Sequence, residues 1–136
     1  MPAYDSTSFD PPAPVARVSL RDPVSGASRV DVPMLLDSGA DVTVLPLSVA
    51  DALGVAPSED SRFELAGFDG TRVWAGAVTV EMRLCGRLFR GRFVVAPVDR
   101  GILGRNILNA LNLTLDGPRL MWDAAPASGA DKGVHG

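Results

Sequence analysis

From Val78 to Leu84 the chain reads VTVEMRL, apolar and polar side chains alternating one for one. A period of two puts each set on its own face of an extended chain, so this segment predicts a strand with one face against a core. Similar stretches recur: VARVSL, SRVDVPMLLD, VTVLP, RFELAG, RLFRGRFVVAP and LNLTLDGPRLMWD are rich in β-branched residues, and Gly or Pro interrupts the chain about every 8–12 residues, the spacing of short strands joined by turns. Asp22-Pro23 with Ser25-Gly26 suits a first hairpin and Asp69-Gly70 a second. An all-β sandwich or barrel is the expectation. Two segments depart from it. LSVADALGV (47–55) can form a helical turn or two ending at Gly54, and GRNILNALN (104–112) sets Ile107, Leu108 and Leu111 on one helical face. The expected architecture is mostly β with one short C-terminal helix.

A chain of 136 residues, 46% hydrophobic, can bury one modest core but not two. The formal net charge of -3 and the absence of a Lys/Arg run give no electrostatic basis for a nucleic-acid or anionic-membrane partner. One cysteine, Cys85, and one histidine, His135, allow neither an intrachain disulfide nor a zinc site within one chain. No metal and no cofactor are expected. No apolar run approaches the roughly 20 residues of a membrane span, and the start lacks the features of a signal peptide, so a cytoplasmic protein is expected. Residues 1–14 and 124–136 are rich in Pro, Ser, Gly and Asp without an apolar period; they are expected to be a flexible N-terminal arm and a flexible C-terminal tail around a domain spanning 15–123.

The chemistry concentrates in LLDSGADVTVLP (35–46). Asp37 leaves an apolar run, Gly39 permits a tight turn, and a second apolar run follows. A carboxylate between two buried runs is costly unless it is paired, hydrogen-bonded or protonated, so something has to compensate Asp37. Taken alone, D-[ST]-G is a short pattern that also fits an ordinary Asx or Ser turn.

The surrounding residues resemble the retroviral-type aspartic proteases, the retropepsins, in which D-[ST]-G-A-D follows two apolar residues and precedes an apolar strand. GILGRNILNALNLTL (101–115) resembles that family's apolar-apolar-G-R-[ND] segment and its helix, and LAGFDGTRV (65–73) resembles its flap hairpin. The resemblance implies an acid protease fold, a closed barrel-like single lobe with a flap. It makes Asp37, Ser38 and Gly39 the catalytic turn. It places Asp41, Val44, Ala66, Gly67, Phe68 and Ile102 around a peptide, with Val98 beside them and Arg100 in the loop that forms subsite walls. There Arg100 either gives a preference for an acidic or polar side chain or, as is the expectation, is fully solvated. Ala40, Gly104, Arg105 and Asn106 support the site, and Asp41 with Arg105 is expected to form a buried ion pair. Cys85-Gly86 falls in a strand turn of the family, which implies a structural thiol rather than a nucleophile.

Metal-free peptide hydrolysis needs one group to take a proton from water and another to protonate the leaving amide. Two carboxyls about 3 Å apart do this by sharing one proton, because both cannot ionise easily. D-[ST]-G occurs once in this chain, so the second acid has to come from a second copy, and a two-fold dimer brings the turns face to face. The resemblance implies that the Ser38 hydroxyl then crosses to the opposing turn. It also implies a dimer sheet built from chain ends, to which RLMWD (119–123) would contribute with Trp122 as an anchor. The leading expectation is an aspartic endopeptidase, active as a homodimer on peptide or protein substrates. The alternatives are a catalytically silent dimerisation or peptide-binding module of the same fold and a plain structural β-domain.

Overall fold

Asp22 organises the first reversal of the chain. Its carboxylate accepts the Val24 N–H at 3.0 Å and the Ser25 hydroxyl at 2.7 Å, while Gly26 takes the left-handed φ of 80° that the tight turn demands. The flanking runs pair antiparallel as β1 (Val15–Arg21) and β2 (Ser28–Leu36). Val30 and Asp31 face the single residue Ser19, a bulge in which Asp31 sits at φ 56°. In this computed structural model the described residues are 1–66, 72–125 and 134–135, with side chains described for 1–58 and 76–125.

After β3 (Val44–Pro46) comes α1 (Leu47–Leu53), which ends at Gly54 with φ 72° as the residue types imply. Next come β4 (Ser58–Ala66), β5 (Arg72–Leu84) and β6 (Arg87–Ala96). Cys85 and Gly86, at φ 51° and 76°, make the two-residue turn between β5 and β6, whose positive φ values match the twist of the strands. Then follow β7 (Gly101–Leu103), α2 (Arg105–Leu108), β8 (Asn112–Asp116), β9 (Met121–Ala125) and β10 (Val134–His135). The C-terminal helix is shorter than the 104–112 segment suggested; α1 is the longer of the two.

The pairings β6–β3–β7–β2–β1–β5 return from β5 to β6, closing a six-stranded barrel. Its interior holds Val18, Leu20, Met34, Leu45, Val80, Met82, Phe89 and Leu103, all at most 2% exposed. Alternation is visible along β5, where Val80, Met82 and Leu84 are buried and Thr79 and Arg83 exposed. Gly101 is small for a packing reason: a Cβ there would lie 2.1 Å from the Met34 sulfur. The β4–β5 hairpin extends from the barrel with Ala66 opposite Arg72 as its last described pair. The Asp69-Gly70 turn and the flap residues Gly67 and Phe68 lie outside the described residues.

The ends of the chain make contacts that composition did not suggest. Ala3 bridges Met121 of β9, the Tyr4 N–H donates to the Leu120 carbonyl at 2.7 Å, and the Trp122 N–H to that of Pro2 at 2.9 Å. Val134 and His135 pair parallel with Phe89 and Arg90. Trp122 corrects an expectation: it is 2% exposed inside its own chain, and its indole N–H donates to the Val15 carbonyl at 3.3 Å. A side chain spent in the monomer core cannot anchor a partner; β9 folds back on β8 and turns Trp122 inward.

Candidate active site

Strand β7 lies between β2 and β3. It pairs parallel with β2 through Met34–Gly101, Leu35–Ile102 and Leu36–Leu103, and antiparallel with β3 through Val44–Ile102. The segment 37–43 therefore leaves one side of β7 and returns on the other, presenting its turn at the end of the strand. Asp37 opens the turn. Its N–H donates to the Leu103 carbonyl at 3.0 Å, its carbonyl accepts the Ala40 N–H at 3.2 Å, and its Oδ1 accepts the Gly39 N–H at 2.9 Å. The carboxylate is thus aimed by its own turn. Asp37 is half-buried, while Ser38 and Gly39 are exposed.

The supporting residues come from the turn after β7. The Arg105 N–H donates to the Ala40 carbonyl at 2.9 Å, and its Nη1 donates to the Ser38 carbonyl at 2.8 Å. Gly104 lies so near the first turn that a Cβ would come within 2.3 Å of the Val42 carbonyl oxygen. Only glycine permits that approach. Thr43, 1% exposed, accepts the Gly104 N–H at 3.1 Å and donates to the Asn106 side-chain oxygen at 2.7 Å. Thr43 was not singled out from sequence. Its one signal is a hydroxyl within the apolar run VTVLP.

The structure brings together Asp37, Ser38, Gly39, Ala40, Gly104, Arg105 and Asn106. It corrects the expected ion pair: Asp41 is exposed, and no ion pair joins it to Arg105. The Arg105 backbone is tied to Ala40, so its guanidinium reaches back along the turn to a carbonyl. Val44 belongs to a small apolar cluster with Val94 and Ala96, against which Val42 and Ile102 pack. The backbone of Ala66 ends β4; Gly67 and Phe68 are not described.

The turn offers the Asp37 carboxylate, with Oδ1 held by a backbone N–H and, among the described residues, no hydrogen bond to Oδ2. The Ser38 hydroxyl likewise has no partner among the described residues. Among the described residues no group of three His, Cys, Asp or Glu is placed to hold a metal ion, and no helix is long and apolar enough to cross a membrane. At Cys85, desolvation and then the Asp123 carboxylate push the thiol up from its ordinary value, the opposite of what a nucleophile needs.

A family model described as "gag-polyprotein putative aspartyl protease" matches residues 26–110, which include both turns of the site. Among solved structures the chain is similar to EIAV protease complexed with the inhibitor HBY-793. The two are 27% identical, with 71% of this chain and 86% of that chain covered and a TM-score of 0.56. No curated protein matches the sequence.

Proposed function

The chain belongs to the retropepsin-like aspartic protease family, and we propose on that premise that it is an aspartic endopeptidase that works as a homodimer on extended peptides. The observation that carries the reading is the state of Asp37: a half-buried carboxylate aimed by the Gly39 N–H, at the tip of the one D-[ST]-G turn in the chain. Without a metal to polarise the carbonyl, a single carboxyl cannot take a proton from water and donate one to the carbonyl oxygen in the same step. Two Asp37 side chains across a two-fold axis hold one proton between them, and that proton belongs to the pair. The ionised member removes a proton from the water as its oxygen attacks the carbonyl carbon. The protonated member donates to the carbonyl oxygen. Collapse of the tetrahedral diol passes a proton to the nitrogen, breaks the C–N bond and returns the dyad to its starting state.

The neighbouring residues take supporting parts. The Ser38 hydroxyl, which has no partner among the described residues, bonds to the opposing turn. Gly39 lets substrate backbone approach, with its carbonyl as an acceptor for a substrate amide. Val44 and Ile102 give the groove an apolar wall, Asp41 stands exposed beside it, and Ala66, Gly67 and Phe68 of the flap cover the bound peptide. Ala40, Gly104, Arg105 and Asn106 fix the turn.

A peptide-library digest tests the reading. The wild-type protein should cleave, a statine-containing inhibitor should block it, and Asp37→Asn should abolish it. A dimer that binds statine peptides but cleaves nothing between pH 3 and 7 would instead be a silent peptide-binding module.

A further inference from the structure

Residues 5–13 form a folded loop, closed at its base by two hydrogen bonds between Asp5 and Ala13 at 2.8 and 3.2 Å. Inside it the Asp5 carboxylate accepts the Thr7 and Ser8 N–H groups at 2.9 and 3.0 Å. The tip touches Arg100, 4.1 Å from the guanidinium carbon to the Phe9 ring centroid and 3.4 Å from Nη1 to the Ser8 carbonyl. An aromatic face under a guanidinium fixes its plane while leaving the edge donors outward. Among the described residues, one of its five N–H donors is used, at a long distance, and Arg100 joins no ion pair. Arg100 is half-buried and stands two residues, at most about 7 Å of chain, before Ile102, which packs on the Val44, Val94 and Ala96 cluster beside the Asp37 turn. The chain thus holds a stacked cation, with donors to spare, two residues along the chain from an apolar cluster.

The surrounding acids do not neutralise it. Asp5 is engaged by its own loop; the Ser8 N–H is the chief cause holding its carboxyl below the ordinary range, and the charge of Arg100 contributes least. Asp99 is exposed.

We propose that Arg100 selects substrates carrying an acidic side chain one or two residues outward from the apolar residue that fills the Val44–Ile102 wall, and that Phe9 positions Arg100 for this. The inference rests on the endopeptidase reading and adds to it a substrate class: acidic-flanked peptides. Phe9 touches no substrate; it acts through Arg100.

The test uses paired octapeptides with an apolar centre, differing only by Glu or Gln at each outer position, in a cleavable form and in a statine form. Against the full-length dimer at low salt, Glu should be favoured on the order of tenfold, as a charge-assisted bond at a half-exposed site allows, chiefly through KM and statine-peptide Kd. The preference should shrink as salt rises. Arg100→Gln should remove it and Arg100→Glu should reverse it towards Lys. Phe9→Ala should weaken it, and Phe9→Tyr should restore it. Equal cleavage of Glu and Gln peptides, or a Glu preference that survives Arg100→Gln, overturns the proposal and leaves the protease intact. Glu-selective statine-peptide binding without any cleavage supports Arg100 and contradicts the hydrolytic reading.

Discussion

The Thr43 hydroxyl hydrogen-bonds Asn106 at 2.7 Å across 63 residues of sequence, and the same oxygen accepts the Gly104 N–H. One buried hydroxyl therefore joins the turn that carries Asp37 to the turn that carries Arg105. Thr43→Val keeps the shape but strands a buried N–H and a side-chain carbonyl, which costs about 1–3 kcal/mol. Urea unfolding should show that loss, with Thr43→Ser close to wild type. Peptide cleavage by Thr43→Val should fall further than the folded fraction does, since the Asp37 turn loses its tie.

Trp122 closes the core in its own chain. Trp122→Ala should destabilise by about 3–5 kcal/mol, the range for truncating a buried aromatic. Unfolding midpoints measured over a hundredfold range of protein concentration should show the same loss throughout. A loss confined to dilute samples would put Trp122 at the interface instead.

The Asp22 turn gives a pH prediction. Its carboxyl is held below the ordinary value first by the Ser25 hydroxyl and then by the Val24 N–H. A folded pKa below the unfolded one means that the carboxylate stabilises fully above the unfolded value, near 3.8, and that this contribution is lost as pH falls through the folded pKa. Asp22→Asn should lower the unfolding midpoint at pH 7 and narrow its gap to wild type by pH 3. Ser25→Ala should act in the same direction, more weakly. A gap that widens with acid would contradict the assignment.

Local chemistry made much of this fold readable. Asp22 to Gly26 and Gly54 end their elements where the residue types said they would, because a tight turn or helix cap is decided within four or five residues, and Cys85-Gly86 turns where the family resemblance implied. The Asp37 and Gly104-Arg105-Asn106 turns were readable as motifs. What escaped depends on register and long-range approach. Thr43 looks like any strand threonine until β7 brings Gly104 beside it, and Arg105 looked like a partner for Asp41 until its backbone was tied to Ala40. The Pro- and Ser-rich start suggested a solvated arm, yet β9 offers residues 2–4 an edge to pair with, and Arg100 gives Phe9 a place to stack.

The central claim is that one proton is shared between the Asp37 residues of two chains. Specific peptidase activity, measured while wild-type protein is diluted and while excess Asp37→Asn protein is added, tests it most directly when sedimentation is followed on the same samples. Activity should fall with the dimer fraction on dilution, and the added variant should suppress it by forming mixed dimers with one acid. Activity that stays proportional to total protein in samples sedimenting as monomers, or that ignores the variant, would contradict the account.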